Sequence, residues 1–249
     1  MGLIVYADVT CPDCLLAVRR ADALAAAGVP VDVRVVEQRP ELPVTGRRLT
    51  GADQEAITRR FERLGALLLP GETLPWSMPP VAARTQASVS AYAEVYGSPV
   101  AADVRRLLFD LYWREGADIG NPNVLRTPLT GPVLRSGILT DPLWQSGYAV
   151  AVSGGPVTTA AHRRIRAWRD EWHELGSPAL PLLLIDGATV HGIDALRRLG
   201  KELRYADADP DPALDEPRRY PAVGVRPSRS WVSQIGNRWR NVYRPAGAT

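Results

Sequence analysis

Cys11 and Cys14 are the only cysteines in the chain, and two residues separate them in the stretch "DVTCPDCLL". Paired cysteines serve as metal ligands, structural disulfides or redox-active thiols. A structural zinc site needs four ligands, usually from a second cysteine pair or closely spaced histidines. Here the histidines, His162, His173 and His191, are 11 and 18 residues apart, so we predict no metal site.

Thiol chemistry needs a stable thiolate and a second thiol close enough to resolve a mixed disulfide. With Pro12 at the first helical position, Cys11 is expected at the helix N-cap. The unpaired N–H groups and the positive end of the helix dipole stabilise a thiolate at that position. Cys14, one turn further along, is expected to be the shielded second thiol. The pair therefore predicts a redox site.

The elements that must position this pair start with a strand, a helix and a strand. Residues 3–7, "LIVYA", form an apolar run, and residues 31–37, "VDVRVVE", alternate apolar with polar side chains. The segment between them has helical spacing and ends at Gly28. The cysteines thus follow the first strand and open the first helix.

From residue 46 to 175 the strand signal nearly vanishes. We predict amphipathic helices in the segments that begin at Thr50, a plausible N-cap, at Val81 and at Val100. One long helix follows, with Pro156 near its first turn and Gly176 just past its end.

The strand signal then returns. We predict a strand at 182–185, a turn at Asp186-Gly187, a strand at 188–191 and a helix to about 203. The predicted division is two sheet-forming parts at 1–45 and 176–205, a helical insertion at 46–175 and a Pro/Arg-rich C-terminal tail at 206–249.

Four stretches together resemble the DsbA-like thiol-disulfide oxidoreductases: "DVTCPDC", "TQASVSAYAEVYGSP", "RRLLFDLYWREGADIGNPNVL" and "LPLLLIDGATVHGIDAL". The similarity is greatest to the cytoplasmic branch, which is related to hydroxychromene-carboxylate isomerases and kappa-class glutathione transferases. The resemblance covers roughly residues 3 to 203. It implies an α/β fold, in which a thioredoxin-like fold is interrupted by an all-helical insertion domain.

The same resemblance implies roles for individual residues. Cys11 would be the nucleophile, Cys14 the resolving thiol and Pro181 the cis-proline, with Pro178 as a competitor for that position. A cis bond at Pro181 is expected to expose the N–H and C=O of Leu180 beside the sulfurs, where an extended substrate backbone could pair with them.

Two departures from the family pattern bear on chemistry. The isomerase and transferase relatives generally carry Ser where Cys11 stands, so two thiols favour redox exchange over isomerisation. Asp13 replaces the aromatic residue or His that is more usual between the cysteines. Its carboxylate is expected to oppose the Cys11 thiolate, which should form less readily than in strongly oxidising relatives.

Composition and charge limit the class of partner and the expected location of the protein. The 30 basic residues are nearly balanced by 27 acidic ones, for a net charge of +3, and Lys201 is the only Lys. This balance does not indicate nucleic acid as a partner. No signal-peptide core or membrane-spanning stretch is visible, so we expect a cytoplasmic protein that does not bind membranes. The oligomeric state cannot be read from the sequence.

Some features leave alternatives open. Trp76, in a Pro-rich loop, could line a substrate groove facing Cys11 or fill the junction between the two parts. The stretch "VSGGP" at 152–156 lacks the rest of a phosphate-loop motif and is interpreted as a bare loop.

Three functions follow from these observations. The first is an oxidoreductase acting on protein or small-molecule thiols and disulfides. It would have no bound cofactor, although a low-molecular-weight thiol is an alternative co-substrate. The second is a thiol-cofactor-dependent isomerase or transferase acting on a small molecule. The third is a binding module that uses the Arg-rich tail, where Trp231 and Trp239 lie among five arginines after residue 225.

Overall fold

The computed structural model describes residues 2–135 and 150–210. In chain order the elements of these residues are β1 (Leu3–Ala7), α1 (Pro12–Ala26), β2 (Val31–Val35), β3 (Arg47–Arg48), α2 (Gly51–Gly65), β4 (Val81–Ala82), α3 (Gln86–Val95), α4 (Ala101–Trp113), α5 (Pro122–Arg135), α6 (Thr159–Glu174), β5 (Leu182–Ile185), β6 (Ala188–His191) and α7 (Gly192–Tyr205). Both ends of this series are sheet-forming, and the helices α2 to α6 lie between them.

A four-stranded sheet with the order β2-β1-β5-β6 supports the cysteine helix. β1 pairs with β2 in parallel, and β5 pairs antiparallel with both β1 and β6. The β5–β6 connection is the predicted two-residue turn, in which Asp186 and Gly187 have φ values of 51° and 77°. Positive φ at both central residues is what a tight hairpin turn of this kind requires.

The predicted bounds of β5 and β6 are confirmed, while β2 ends at Val35, two residues earlier than expected. α1 packs on β1 and β2 and also against α7, and α3 and α6 contact β2. A single hydrophobic cluster runs from the sheet into the helices, and it includes Val5, Leu183, Trp113 and Trp168. The sheet and the helical segment therefore share one core.

Two predictions for the helical segment were wrong in detail. The segment expected to be nearly free of strands contains β3 and β4, which pair antiparallel, so the helix expected from Val81 begins only at Gln86. Strands of two residues are too short to leave an alternating pattern in the sequence.

α5 contains Pro128 and Pro132, residues that normally argue against a helix interior.

The helix starts are set by capping side chains. Thr50 caps α2 as predicted, because its hydroxyl accepts from the Asp53 N–H while the Asp53 carboxylate accepts from the Thr50 N–H at 2.8 Å. The long helix α6 begins at Thr159 with Thr158 as N-cap, so Pro156 lies before the helix and not in its first turn. The buried Glu94 carboxylate accepts the N–H groups of Val157 and Thr158.

The Glu94 contacts lie next to the glycine-rich loop at residues 152–156, which precedes α6. Glu94 occupies the N–H groups of Val157 and Thr158, which directly follow residues 152–156, so these two donors are not available to an anion. Within the described residues, no helix is both long and apolar enough to cross a membrane. The predicted domain boundaries stay a prediction, and the Arg-rich part of the tail lies outside the described residues.

Candidate active site

Cys11 occupies the N-cap of α1, as the sequence predicts. Its backbone is extended, with φ −91° and ψ 120°, and Pro12 follows as the first helical residue. The Cys11 carbonyl accepts from the Cys14 N–H at 3.1 Å, which begins the helix. Cys11 is partly exposed and Cys14 is completely buried, and both are free thiols. One sulfur is therefore accessible and the other lies behind it.

The two thiols differ electrostatically because of this difference in burial. Burial raises the pKa of the Cys14 thiol well above its usual value, and the hydrogen bond with Cys11 raises it further. Cys14 therefore stays protonated at neutral pH in the reduced protein. Cys11 lies at the end of the helix where backbone N–H groups lack helical partners.

The Leu180–Pro181 peptide bond is cis, as predicted, and it lies beside Cys11. The Cys11 thiol donates to the Leu180 carbonyl at 3.7 Å, and the Gly192 N–H donates to the Pro181 carbonyl at 2.8 Å. Leu180 as a whole is only 3% exposed, but its carbonyl meets the Cys11 thiol and the residue lines the cavity beside Cys11, so its pairing with a substrate backbone stays a prediction. Its side chain packs in the core, and the neighbouring Ala179 is exposed.

Asp13 is completely buried, and its carboxylate does not act alone on the thiols. Arg60 of α2 reaches across to it, with Nε donating to one carboxylate oxygen and Nη2 to the other. The expectation that Asp13 simply opposes the Cys11 thiolate is therefore corrected, since a guanidinium balances its charge. Paired hydrogen bonds of this kind hold both planar groups in a fixed orientation.

A second buried carboxylate organises the loop in front of α1. Asp8 is 1% exposed and accepts from the N–H and hydroxyl of Thr10, both at 2.7 Å, from the Gln38 N–H at 2.8 Å and from the Thr85 hydroxyl at 3.0 Å. These bonds join the end of β1 to the segment after β2 and to the start of α3. They fix the loop that carries Cys11.

A cavity of about 620 Å³ opens beside Cys11. Its walls come from both parts of the chain, and they include Arg39, Arg60, Tyr112 and Leu180. Burial raises the pKa of Tyr112 to about 12, so its phenol stays protonated and donates to the Val81 carbonyl at 2.9 Å. A cavity of this size suits a small molecule or a few residues of a peptide.

Trp76 does not line this cavity. Its ring stacks on Phe61 with the centroids 4.0 Å apart, and Phe61 in turn contacts the edge of Trp113. The indole of Trp113 donates to the Val9 carbonyl at 2.8 Å, just before Cys11. Of the two roles considered for Trp76, the structure favours packing at the junction over contact with a substrate.

Sequence reasoning missed Arg60, Asp8 and Arg39. A signal for Arg60 does exist, because it lies on the same helical stripe as Ile57 and Leu64, where an apolar residue would be expected. A charged residue on a buried stripe indicates a buried partner. His162, His173 and His191 are exposed, and the described residues contain no group of three or more side chains suited to hold a metal ion.

No family model matches the chain, and no curated protein shows significant sequence similarity to it. Solved structures do match. A 2-hydroxychromene-2-carboxylate isomerase aligns with a TM-score of 0.56 and 16% identity, over 83% of this chain and 98% of its own. A probable DsbA oxidoreductase from Streptomyces coelicolor aligns with a TM-score of 0.58 and 19% identity, over 83% of this chain and 89% of its own.

The chain has the DsbA-like fold. A third structure of this fold, the cytosolic disulfide reductase DsbM from Pseudomonas aeruginosa, aligns with a TM-score of 0.51 and 16% identity, over 82% of this chain and all of its own. The thioredoxin-like fold with a helical insertion is thus confirmed. At these identities the likeness to DsbA-like proteins concerns the fold alone.

Proposed function

We propose that the protein is a thiol-disulfide oxidoreductase whose Cys11–Cys14 pair cycles between dithiol and disulfide. The observation that carries this proposal is the asymmetry of the pair: Cys11 is accessible at a helix N-terminus, and Cys14 is buried directly behind it. A nucleophile that faces the substrate and a shielded resolving thiol are the two groups that disulfide exchange requires.

The reaction proceeds in two exchange steps. The Cys11 thiolate attacks one sulfur of a substrate disulfide, so a mixed disulfide forms and the other half leaves as a thiolate that takes up a proton. Cys14 then loses its proton and attacks the Cys11 sulfur. The Cys11–Cys14 bond forms, the mixed disulfide breaks and the second substrate thiol departs. Two electrons have passed to the substrate, and an external thiol reductant returns them to the pair.

The cavity supports a low-molecular-weight thiol as substrate or co-substrate. Arg39 lines it and donates to the Thr10 hydroxyl at 3.2 Å, and within residues 2–135 and 150–210 it has no carboxylate within ion-pair distance. A cation of this kind suits a carboxylate-bearing thiol. The DsbM structure is also known with GSH, which is compatible with such a substrate. That neighbour is described as cytosolic, and we place this reaction in the cytoplasm as well.

The isomerase alternative draws on one observation, the similarity to the solved isomerase. An isomerase that borrows a thiol cofactor has no use for a second, buried thiol behind the first, so Cys14 favours the redox reaction. The binding-module alternative depends on residues after 225, which lie outside the described part of the chain.

A titration of free thiols tests the proposal. The reduced protein should present two thiols after denaturation, none after mild oxidation, and two again after treatment with a monothiol reductant. A non-reducing gel run beside the titration should show that the oxidised protein is a monomer with an internal disulfide. Two thiols that persist through oxidation, or a disulfide formed only between chains, would exclude this function.

A further inference from the structure

The carboxylate between the two cysteines is neutralised from another part of the chain. Asp13 is the second residue of α1 and is completely buried, and Arg60, which bonds both of its oxygens, belongs to α2. The Arg60 side chain is 32% exposed and lines the cavity that Cys11 faces. The guanidinium thus lies between the buried carboxylate and the space a substrate would enter.

Several charged or titratable groups surround Cys11. They are Asp13 and Cys14 of α1, Asp8 after β1, Arg39 after β2, Asp53 and Arg60 of α2, and Tyr112 of α4. Asp8 is bound by four hydrogen-bond donors, and Asp53 is paired with Arg47 at 2.8 Å. The remaining buried carboxylate, Asp13, lies two residues after Cys11 in the chain and is paired with Arg60.

The interaction between Arg60 and the thiols is mutual. The hydrogen bonds with Asp13 raise the pKa of Arg60 against the opposing effect of burial, and a thiolate charge at Cys11 raises it further. A guanidinium that is stabilised by thiolate charge must in turn stabilise the thiolate.

We infer that Arg60 is a positioning residue for the proposed exchange reaction, which sets how readily Cys11 forms a thiolate by neutralising Asp13. This inference rests on the proposed function for its biological meaning. The chemical property involved, however, is the reactivity of Cys11, which can be measured without redox cycling. The helical segment thereby controls the nucleophile that the sheet-forming part carries.

Two substitutions should change the ease of thiolate formation at Cys11 in opposite directions. In Arg60→Gln, the buried Asp13 carboxylate loses its counter-charge, so the Cys11 thiolate is disfavoured. In Asp13→Asn, the guanidinium of Arg60 is left unpaired, so the thiolate is favoured. Each change should shift the midpoint of the reactivity profile by about one pH unit, which is about tenfold in rate below the midpoint.

The test is the rate at which iodoacetamide alkylates Cys11, measured from about pH 5 to pH 9 with the product located by mass spectrometry. The reaction forms a carbon–sulfur bond from the thiolate and releases iodide, so its rate reports the thiolate fraction. The variants are Arg60→Gln, Arg60→Lys, Asp13→Asn and the double variant Asp13→Asn/Arg60→Gln. Arg63→Gln is the matched control, because Arg63 is exposed on the same helix and donates to the Arg59 carbonyl.

The expected result is slower alkylation in Arg60→Gln, faster alkylation in Asp13→Asn, and a double variant within about twofold of the wild type. Arg60→Lys keeps the charge and should recover most of the lost rate. Wild-type rates in Arg60→Gln, or a double variant as slow as Arg60→Gln, would overturn the inference. The double variant carries no buried charge at this position, so it remains informative if Arg60→Gln fails to fold.

The assay also separates this inference from the proposed function. Alkylation needs one reactive thiol and no redox cycling. A wild-type pair that does not cycle would remove the proposed function and leave the Arg60 result standing, whereas unchanged alkylation would remove the role of Arg60 alone.

Discussion

At the scale of single residues, the two sulfurs have different surroundings although they are one helical turn apart. Cys11 is partly exposed at the N-cap of α1, and Cys14 is fully buried with a raised pKa. Cys11 is accessible to a substrate, whereas Cys14 is buried and can reach only the Cys11 sulfur. The roles proposed for the two cysteines follow from their positions, because their side chains are chemically identical.

This division of roles predicts the behaviour of two serine variants. Cys14→Ser, incubated with an oxidised small thiol, should accumulate a mixed disulfide through Cys11, because no resolving thiol remains. Cys11→Ser should stay almost unmodified under the same conditions, since Cys14 is buried and protonated. Intact-mass and peptide mass spectrometry measure both outcomes. Adduct formation at Cys14 in preference to Cys11 would reverse the assignment.

Part of the candidate site could be predicted from the sequence because it is local. Cys11, Cys14 and Pro12 are neighbours in the chain, and Pro181 precedes an apolar run and an Asp-Gly turn at a recognisable spacing. Arg60 lies 47 residues from Asp13, and only the packing of α2 on α1 brings them together. The placement of Trp76 depended in the same way on its stacking with Phe61.

At the scale of elements, a buried ion pair fixes the cysteine helix. Arg20 of α1 donates from Nε and Nη2 to the two carboxylate oxygens of Glu72, both at 2.7 Å, and the two side chains are 2% and 3% exposed. The same guanidinium donates to the Leu196 carbonyl of α7 at 2.6 Å and to the Leu67 carbonyl at 2.7 Å. One side chain thus joins α1 to α7 and to the segment after α2.

Removal of the charge at position 72 should therefore destabilise the fold. Glu72→Gln leaves the guanidinium of Arg20 buried without a counter-charge, which costs about 3 kcal/mol of unfolding free energy. Urea denaturation of the reduced protein measures this loss. Glu62→Gln, an exposed change on α2, is the control and should stay within about 0.5 kcal/mol of the wild type. An equal stability for both variants would show that the pair contributes nothing to the fold.

The elements that the sequence predicts well are those with a strong local pattern. The hairpin of β5 and β6 combines an apolar run with an Asp-Gly turn, and its bounds agree with prediction. β3 and β4 were missed because their two-residue pairing is decided by tertiary contacts. The start of α6 was misplaced because Pro156 suggested a first turn, whereas the cap is formed by Thr158 and the distant Glu94.

At the scale of the whole molecule, the helical segment completes the site as well as extending the core. Polar contacts cross between the two parts at three places around the cysteine loop: Thr85 to Asp8, Trp113 to the Val9 carbonyl, and Arg60 to Asp13. The cavity beside Cys11 has walls from both parts. In the proposed reaction, the helical segment would therefore influence both the reactivity of Cys11 and the space for its substrate.

The reduction potential of the Cys11–Cys14 couple tests the redox function most directly. The wild-type protein is equilibrated with thiol buffers of graded ratio, quenched with acid, and the oxidised fraction is measured by mass spectrometry. We predict one two-electron transition, in which the ratio of oxidised to reduced protein changes tenfold for about every 30 mV. The midpoint should lie between about −270 and −120 mV, the range of thioredoxin-fold redox pairs. Two thiols that stay free at every buffer ratio, or that oxidise only between chains, would contradict a catalytic redox pair.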